Sequence, residues 1–361
     1  MTAVSQPDFA RLRRCLLREG LPDRVPLYEG VNNGVMSAWL GKPVSGLETT
    51  IEFRARAGYD YVTIGIDLWS ALKKVKEGSR TRLPGSASKM GQYSVYTKTL
   101  QERVWVGEGQ GVITSAKEFE DFPWPGPEEM DFSPFQKAED WMPGGMKVVA
   151  AVGHAFTTVW TLMGLEGFCI ALEDNPDLVD RMFRKVSDIQ YEVLDRVTRF
   201  SSVGGVHIAD DIAYTTGLMI SPGHLRRYLF PILERMCALC RSRGIPVTYH
   251  SDGRLYDVLD DIVAVGFNAL HPIQPNAMDI RNVKERVGDK LCLLGNIDLD
   301  VLTRGTPEQV EELVKKNLRD IAGDGGYCVG SSNSVPDFVP LANYNAMRET
   351  ALKYGAYPIR I

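Results

Sequence analysis

Short apolar runs recur along the 361-residue chain, each followed by a polar or glycine-rich turn and then, usually, by a helical pattern. Eight such runs predict strands: VPLYE (25–29), YDYVTI (59–64), KVVAAV (147–152), GVHIAD (205–210), PVTYH (246–250), NALH (268–271), LCLLGN (291–296) and GYCVGSS (326–332). Near-continuous apolar strands alternating with helices belong to a parallel sheet buried on both faces. The later helices are marked at their ends. SPGHLRRYLFPILERMCALCRSRG opens on Ser-Pro and closes on Gly244, and LYDVLDDIVAVG, MDIRNVKERVGD and TPEQVEELVKKNLRDIAGDGG each end near a glycine. Eight strand–helix units predict an α/β fold, a (β/α)8 TIM barrel. The competing doubly wound sheet would show a glycine-rich phosphate loop, and no GxGxxG or GxxxxGKS is present.

Two intervals are too long for simple connections. Residues 66–146 contain the strand-like YSVYTKTLQERVWVGEGQGVIT, read as an inserted hairpin, and the loop EDFPWPGPEEMDFSPF. This segment is expected to form a lid over one barrel end, its aromatic and proline residues making an adaptable apolar cover. Residues 155–203 carry two helical patterns, TTVWTLMGLEGFCIALED and NPDLVDRMFRKVSDIQYEVLDRVTRF, expected as extra helices outside the barrel. No linker interrupts the chain, so residues 1–361 are read as a single barrel domain.

Composition narrows the function classes. A net charge of −5 gives no reason to expect nucleic acid or an anionic membrane as partner. No apolar run reaches a membrane-spanning length of roughly 18 residues, and MTAVSQPDFARLRR lacks a signal-peptide core, so a cytoplasmic protein is expected. The six cysteines are scattered. The one CxxC, Cys237 and Cys240, lies in a helical pattern without a second pair and reads as two half-buried helix residues rather than a zinc or redox motif.

The stretch VTYHSDG raises the question of chemistry, because it ends an apolar strand on His250 and places Asp252 two residues on. A tight turn is the plain reading, and a metal or proton-transfer site is the sharper one. In a barrel, chemistry sits where strands end. The predicted ends carry Glu29, Asp67, His154, Asp210 and Asp211, His250 and Asp252, His271 and Gln274, Asn296 and Asp298, and Ser331, Ser332 and Asn333. Ser221 and Asp298 have the character of helix caps, but so many polar groups on one rim favour a functional site. His207, within a strand, reads as a structural hydrogen bonder, His224 as a surface residue in a first helical turn.

The run IADDIAYTTGLMISPGHLRRYLFPILERMCALCRSRGIPVTYHSDG, followed by VLDDIVAVGFNALHPIQP, LLGNIDLDVLTRGTPEQVEE and SSNSVPDFVPLANYNAMRETALKYGAYP, resembles the uroporphyrinogen decarboxylase superfamily from about residue 20 onward. The resemblance implies a (β/α)8 barrel and either of two chemistries: cofactor-free decarboxylation of uroporphyrinogen, or methyl transfer with a corrinoid protein and a zinc site. The decarboxylases carry an arginine-rich RQAGRY after the first strand and a Gly-His-Gly turn after the last. Here those places read EGVNNGVMSAW and SSNS. The zinc methyltransferases use His-x-Cys after strand five and a later cysteine. Here His250 is kept, Asp252 replaces the first cysteine, and Cys328 lies inside the last strand.

The resemblance therefore implies a methyltransferase-like enzyme that moves a methyl group from a small methylated, most simply O-methyl, substrate to a corrinoid (cobalamin) carried by a separate protein. His250, Asp252 and Glu29 are its expected zinc or acid site. Asp210 and Asp211 complete the catalytic set with His250 and Asp252. Asp67, His154, His271, Gln274, Asn296, Ser332 and Asn333 are expected to bind substrate. The sequence also allows a homodimer. Two alternatives stand beside this reading: a metal-free decarboxylase or lyase acting on another small carboxylic acid, and a non-catalytic ligand-binding barrel.

Overall fold

The computed structural model describes residues 6–66 and 111–361. Its centre is a parallel sheet of seven strands: β1 (Tyr61–Gly65), β2 (Lys147–Gly153), β3 (Val203–Ala209), β6 (Val247–His250), β7 (Ala269–His271), β8 (Cys292–Ile297) and β9 (Tyr327–Ser331), in that spatial order. β4 (Ala213–Tyr214) and β5 (Gly217–Leu218) form a small antiparallel ladder of their own, which the apolar pattern did not predict. The sheet curls as in a TIM barrel, with helices between successive strands.

The first predicted strand is the exception to the ladder. Residues 25–31 run beside β9 and the loop after it, through parallel bridges at Leu27–Val329 and Val31–Val335. Pro26 has no N–H to donate, so the pairing is thin: Val329 N donates to Pro26 O and Tyr28 N to Val329 O, both at 2.9 Å. Glu29 N also donates to the Tyr61 hydroxyl at 2.9 Å. The segment thus lies between the two edge strands β1 and β9 and takes the eighth place in the ring.

The helices follow their local chemistry. Pro307–Ile321 begins in a capping box, Thr306 N donating to Gln309 Oε1 at 2.8 Å and Gln309 N to Thr306 Oγ1 at 3.3 Å. The helix expected over 221–244 is two, Pro222–Tyr228 and Phe230–Ser242, because Pro231 cannot continue the i to i−4 bonding of the first. Likewise Gly164, with φ 74°, splits TTVWTLMGLEGFCIALED into Ala155–Met163 and Leu165–Asp174. Pro176–Val197 lays one apolar stripe, including Leu178, Met182, Phe183, Val186 and Val193, onto its neighbours. Among the described residues no single helix is long and apolar enough to cross a membrane, although the bent pair Ala155–Met163 and Leu165–Asp174 passes by length and composition.

The N-terminal end of the ring is closed by the helix Phe9–Leu16. Its Arg11 is buried against Asp60, at 2.5 Å, and reaches Asp23 at 2.6 Å. Of the segment expected as a lid, residues 111–146 are described. Helix Ser133–Trp141 packs Phe135 on Phe200, and Glu139 accepts from Ser201 N and Oγ just before β3, at the closed end. Helix Ala116–Asp121 reaches Pro176–Val197 through Glu120 and Arg181. Phe122, Met130 and Phe135 are buried within the described part of this segment, residues 111–146. The predicted hairpin and Asp67 lie outside the described residues.

Candidate active site

Register brings the site together. β3 pairs with β6 so that Ala209 lies beside His250, and β6 pairs with β7 so that His250 lies beside His271. Side chains in neighbouring parallel positions share a face, and residues two apart on one strand share it too. His207, two residues before Ala209, therefore faces the same interior as the other two imidazoles. Donor nitrogens of His207, His250 and His271 all lie within 4.8 Å of one another. His250 Nδ1 is 2.6 Å from His271 Nδ1, and the Tyr28 hydroxyl bonds His207 Nδ1 at 2.9 Å.

Two of these rings are held neutral. Burial, helped by the neighbouring His250, pushes His271 well below the usual imidazole range. Burial and then His250 and His154 push His207 down to about 3. His271 Nε2 is buried without a hydrogen-bond partner. His207 thus has the structural hydrogen bond expected of it and also belongs to a cluster that its strand position alone did not reveal.

A second group sits at the rim. Ligand atoms of Asp211, His250 and Asp252 also lie within 4.8 Å of one another. His250 Nε2 stands 3.7 Å from Asp211 Oδ1, and that oxygen accepts from Asp252 N at 2.9 Å. Asp252 Oδ2 accepts from Asn333 Nδ2 at 2.6 Å, whereas its Oδ1 is buried and unpartnered. Burial raises the Asp252 carboxyl to about 6, against the pull of His250. Gln274 Oε1 braces the same turn by accepting from Gly253 N at 2.9 Å.

Several expected site residues turn out to hold the scaffold. Asp210 is completely buried and accepts from Phe156 N, Thr157 N and Thr157 Oγ1 at 2.6, 2.9 and 2.8 Å. Both its oxygens cap the helix Ala155–Met163. Burial nonetheless lifts it to about 7. Glu29 spends its carboxylate on Ser331, whose N–H and hydroxyl both donate to it, and it belongs to no metal-competent group among the described residues. Asp211 takes the place expected of Glu29 beside His250 and Asp252.

Asn296 ties the β8 end to the β7 loop through Ile273 O at 2.5 Å, and Ser332 Oγ accepts from Leu299 N at 3.1 Å. His154, at the end of β2, is exposed and caps Ala155–Met163 with φ 66°. Ser221 and Asp298 are helix caps, as expected, and His224 pairs with Glu173 at 3.3 Å. Cys237 and Cys240 are both buried in one helix.

Beside the rim group opens a cleft of about 650 Å³. Asp252, Gln274, Asp298, Asp300, Ser332 and Asn333 are among its walls, and among the described residues Arg304 is the one cationic side chain lining it. That guanidinium is already paired with Asp300. The cleft meets the rim group through Asp252 and does not reach the deeper imidazoles, so small polar groups, not a polyanion, suit its walls.

Comparison with known proteins places the chain in a family. A methyltransferase from Methanosarcina mazei shares the fold with a TM-score of 0.66 at 18% identity, over 96% of this chain and 98% of that one. Uroporphyrinogen decarboxylase from Pseudoalteromonas translucida is 29% identical over 133 residues, 36% of each chain. The enzyme of the same name from Aromatoleum aromaticum is 26% identical over 185 residues, 50% of this chain and 49% of its own. The match thus spans half or less of these curated relatives. Residues 135–354, more than half of the chain, match the family model for uroporphyrinogen decarboxylase (URO-D), and the chain belongs to that family.

Proposed function

We propose that this protein is a methyltransferase that takes a methyl group from a small methylated substrate, most simply an O-methyl compound, and passes it to a corrinoid carried by a separate protein. The observation that carries the reading is Asp252, whose Oδ1 is buried and unsatisfied next to His250 and Asp211. A buried carboxylate oxygen without a partner costs several kcal/mol unless a cation or a proton meets it. One imidazole and two carboxylates are an acceptable donor set for Zn²⁺. A bound zinc ion would supply Lewis acidity to a substrate oxygen, and a corrinoid would supply the nucleophile.

What the chain itself contributes is positioning and charge. Asn333 fixes the Asp252 carboxylate, and Asp211 holds the backbone of the same turn. Gln274 and Asn333 present amide groups to the cleft, suited to a neutral oxygen-bearing ligand. The described walls argue against uroporphyrinogen, because a substrate with many carboxylates would face Asp252, Asp298 and Asp300 with one already paired arginine among the described residues. The test is a panel of methoxylated and methylated donors offered with Co(I) cobalamin. Formation of methylcobalamin with one of them supports the reading. Carbon dioxide release from an unmethylated acid, with no methyl transfer from any donor, supports the lyase alternative instead.

A further inference from the structure

At the closed end of the ring, far along the strands from the histidines, three thiols meet. Cys15 comes from the helix Phe9–Leu16, Cys292 from the start of β8 and Cys328 from the start of β9. All three are completely buried. Cys15 Sγ is 3.7 Å from Cys292 Sγ and 3.7 Å from Cys328 Sγ, and the three sulfurs lie within 4.8 Å of one another. Four thiolates around zinc at about 2.3 Å stand about 3.8 Å apart along each edge of the tetrahedron. Three elements distant in sequence thus bring two of the three sulfur pairs to the edge length of such a tetrahedron, with the third pair within 4.8 Å.

We propose that Cys15, Cys292 and Cys328 form a second, structural metal site for a thiophilic cation, represented by Zn²⁺, independent of the rim. The donor set is all sulfur, with no carboxylate or imidazole in the group, which selects soft or borderline ions and discriminates against magnesium and calcium. Binding converts three thiols to thiolates and releases three protons, and the Zn²⁺ charge offsets all but one of the negative charges created. The carbonyl of Tyr327, which now accepts from Cys15 Sγ at 3.2 Å, or a water molecule is the candidate fourth ligand. The Arg18 guanidinium, bonded to Gly325 O at 3.3 Å, stands on the same end of the strands as a compensating charge. The ion would clamp the N-terminal helix to β8 and β9, where it stabilises the closed end without touching the cleft.

The full chain is stripped of metal under reducing conditions and titrated with Co²⁺, a spectroscopic stand-in for zinc. An intense near-ultraviolet thiolate-to-cobalt charge-transfer band is expected for the unaltered protein and for His250→Ala, because the rim holds no thiol. The band is expected to vanish in Cys15→Ser and Cys328→Ser, with the rim's cobalt retained. Zinc content is expected to fall by one equivalent per chain in each cysteine variant. No charge-transfer band in the unaltered protein, a reading that needs no folded variant, would overturn the site and leave three packed thiols. A band that persists undiminished in folded Cys15→Ser would overturn it as well.

Discussion

His250 Nδ1 and His271 Nδ1 stand 2.6 Å apart, so one of the two must donate and the other accept. Burial keeps His271 neutral. If His250 supplies the proton, its Nε2 keeps a lone pair facing Asp211 and Asp252, which is the tautomer a metal ligand needs. His271 is then a positioning residue. His271→Ala is expected to weaken zinc binding at the rim by about 10- to 100-fold while leaving the fold intact. Competition with a metal-binding dye measures this, and unchanged rim affinity would remove His271 from the account.

Asp252 is expected to matter more than its supports. Asp252→Asn deletes a charged donor and is expected to reduce rim zinc affinity by more than the roughly 10–100-fold typical of a supporting residue. Because its carboxyl is raised to about 6, zinc binding by the unaltered protein should strengthen as pH climbs through that value. A calorimetric titration at pH 5 and pH 7.5 reads both effects. Affinity that does not change across this interval would contradict the assignment of Asp252 as a ligand.

Glu29 is expected to control stability rather than metal. Burial raises its carboxyl from 4.5 to about 8, so the folded state prefers the protonated form. Its stabilising contribution is complete below pH 4.5 and is lost as pH rises through 8. The slope is at most about 1.4 kcal/mol per pH unit. Glu29→Gln lacks this slope, so its stability relative to the unaltered protein should improve from pH 5 to pH 8. Urea unfolding at those two values decides the matter, and parallel losses would show that Glu29 is ionised throughout.

The closed end offers a prediction about the fold alone. Arg11 and Asp60 are both buried, and Arg24 stands 3.7 Å from the same carboxylate. Asp60→Ala leaves two buried guanidinium groups without their shared partner and is expected to cost about 3–5 kcal/mol. Chemical denaturation measures it, and a loss below about 1 kcal/mol would place the pair in the class of surface ion pairs.

The legibility of this protein in its sequence divides along one line. Features set by local pattern were readable: seven strands, the caps at Ser221 and Asp298, and the rim position of His250, Asp211 and Asp252. Features set by register or by contacts between distant segments were not. His207 reads as an isolated strand histidine until β3 is laid beside β6. Glu29 and Asp210 read as free rim acids until Ser331 and the start of Ala155–Met163 are seen to take up their oxygens. Cys15, Cys292 and Cys328 lie far apart in the chain, and no spacing rule connects them.

The most direct test of the methyl-transfer account is the rate of methylcobalamin formation from Co(I) cobalamin and the best methylated donor, compared between the unaltered protein and Asp252→Asn at saturating zinc. Readily measured transfer is expected from the first and a loss of at least about 100-fold in the second, the scale of a charge-stabilising group removed from a transition state. Equal rates for the two proteins, or no transfer by the unaltered protein with any donor while it releases carbon dioxide from an unmethylated acid, would contradict it.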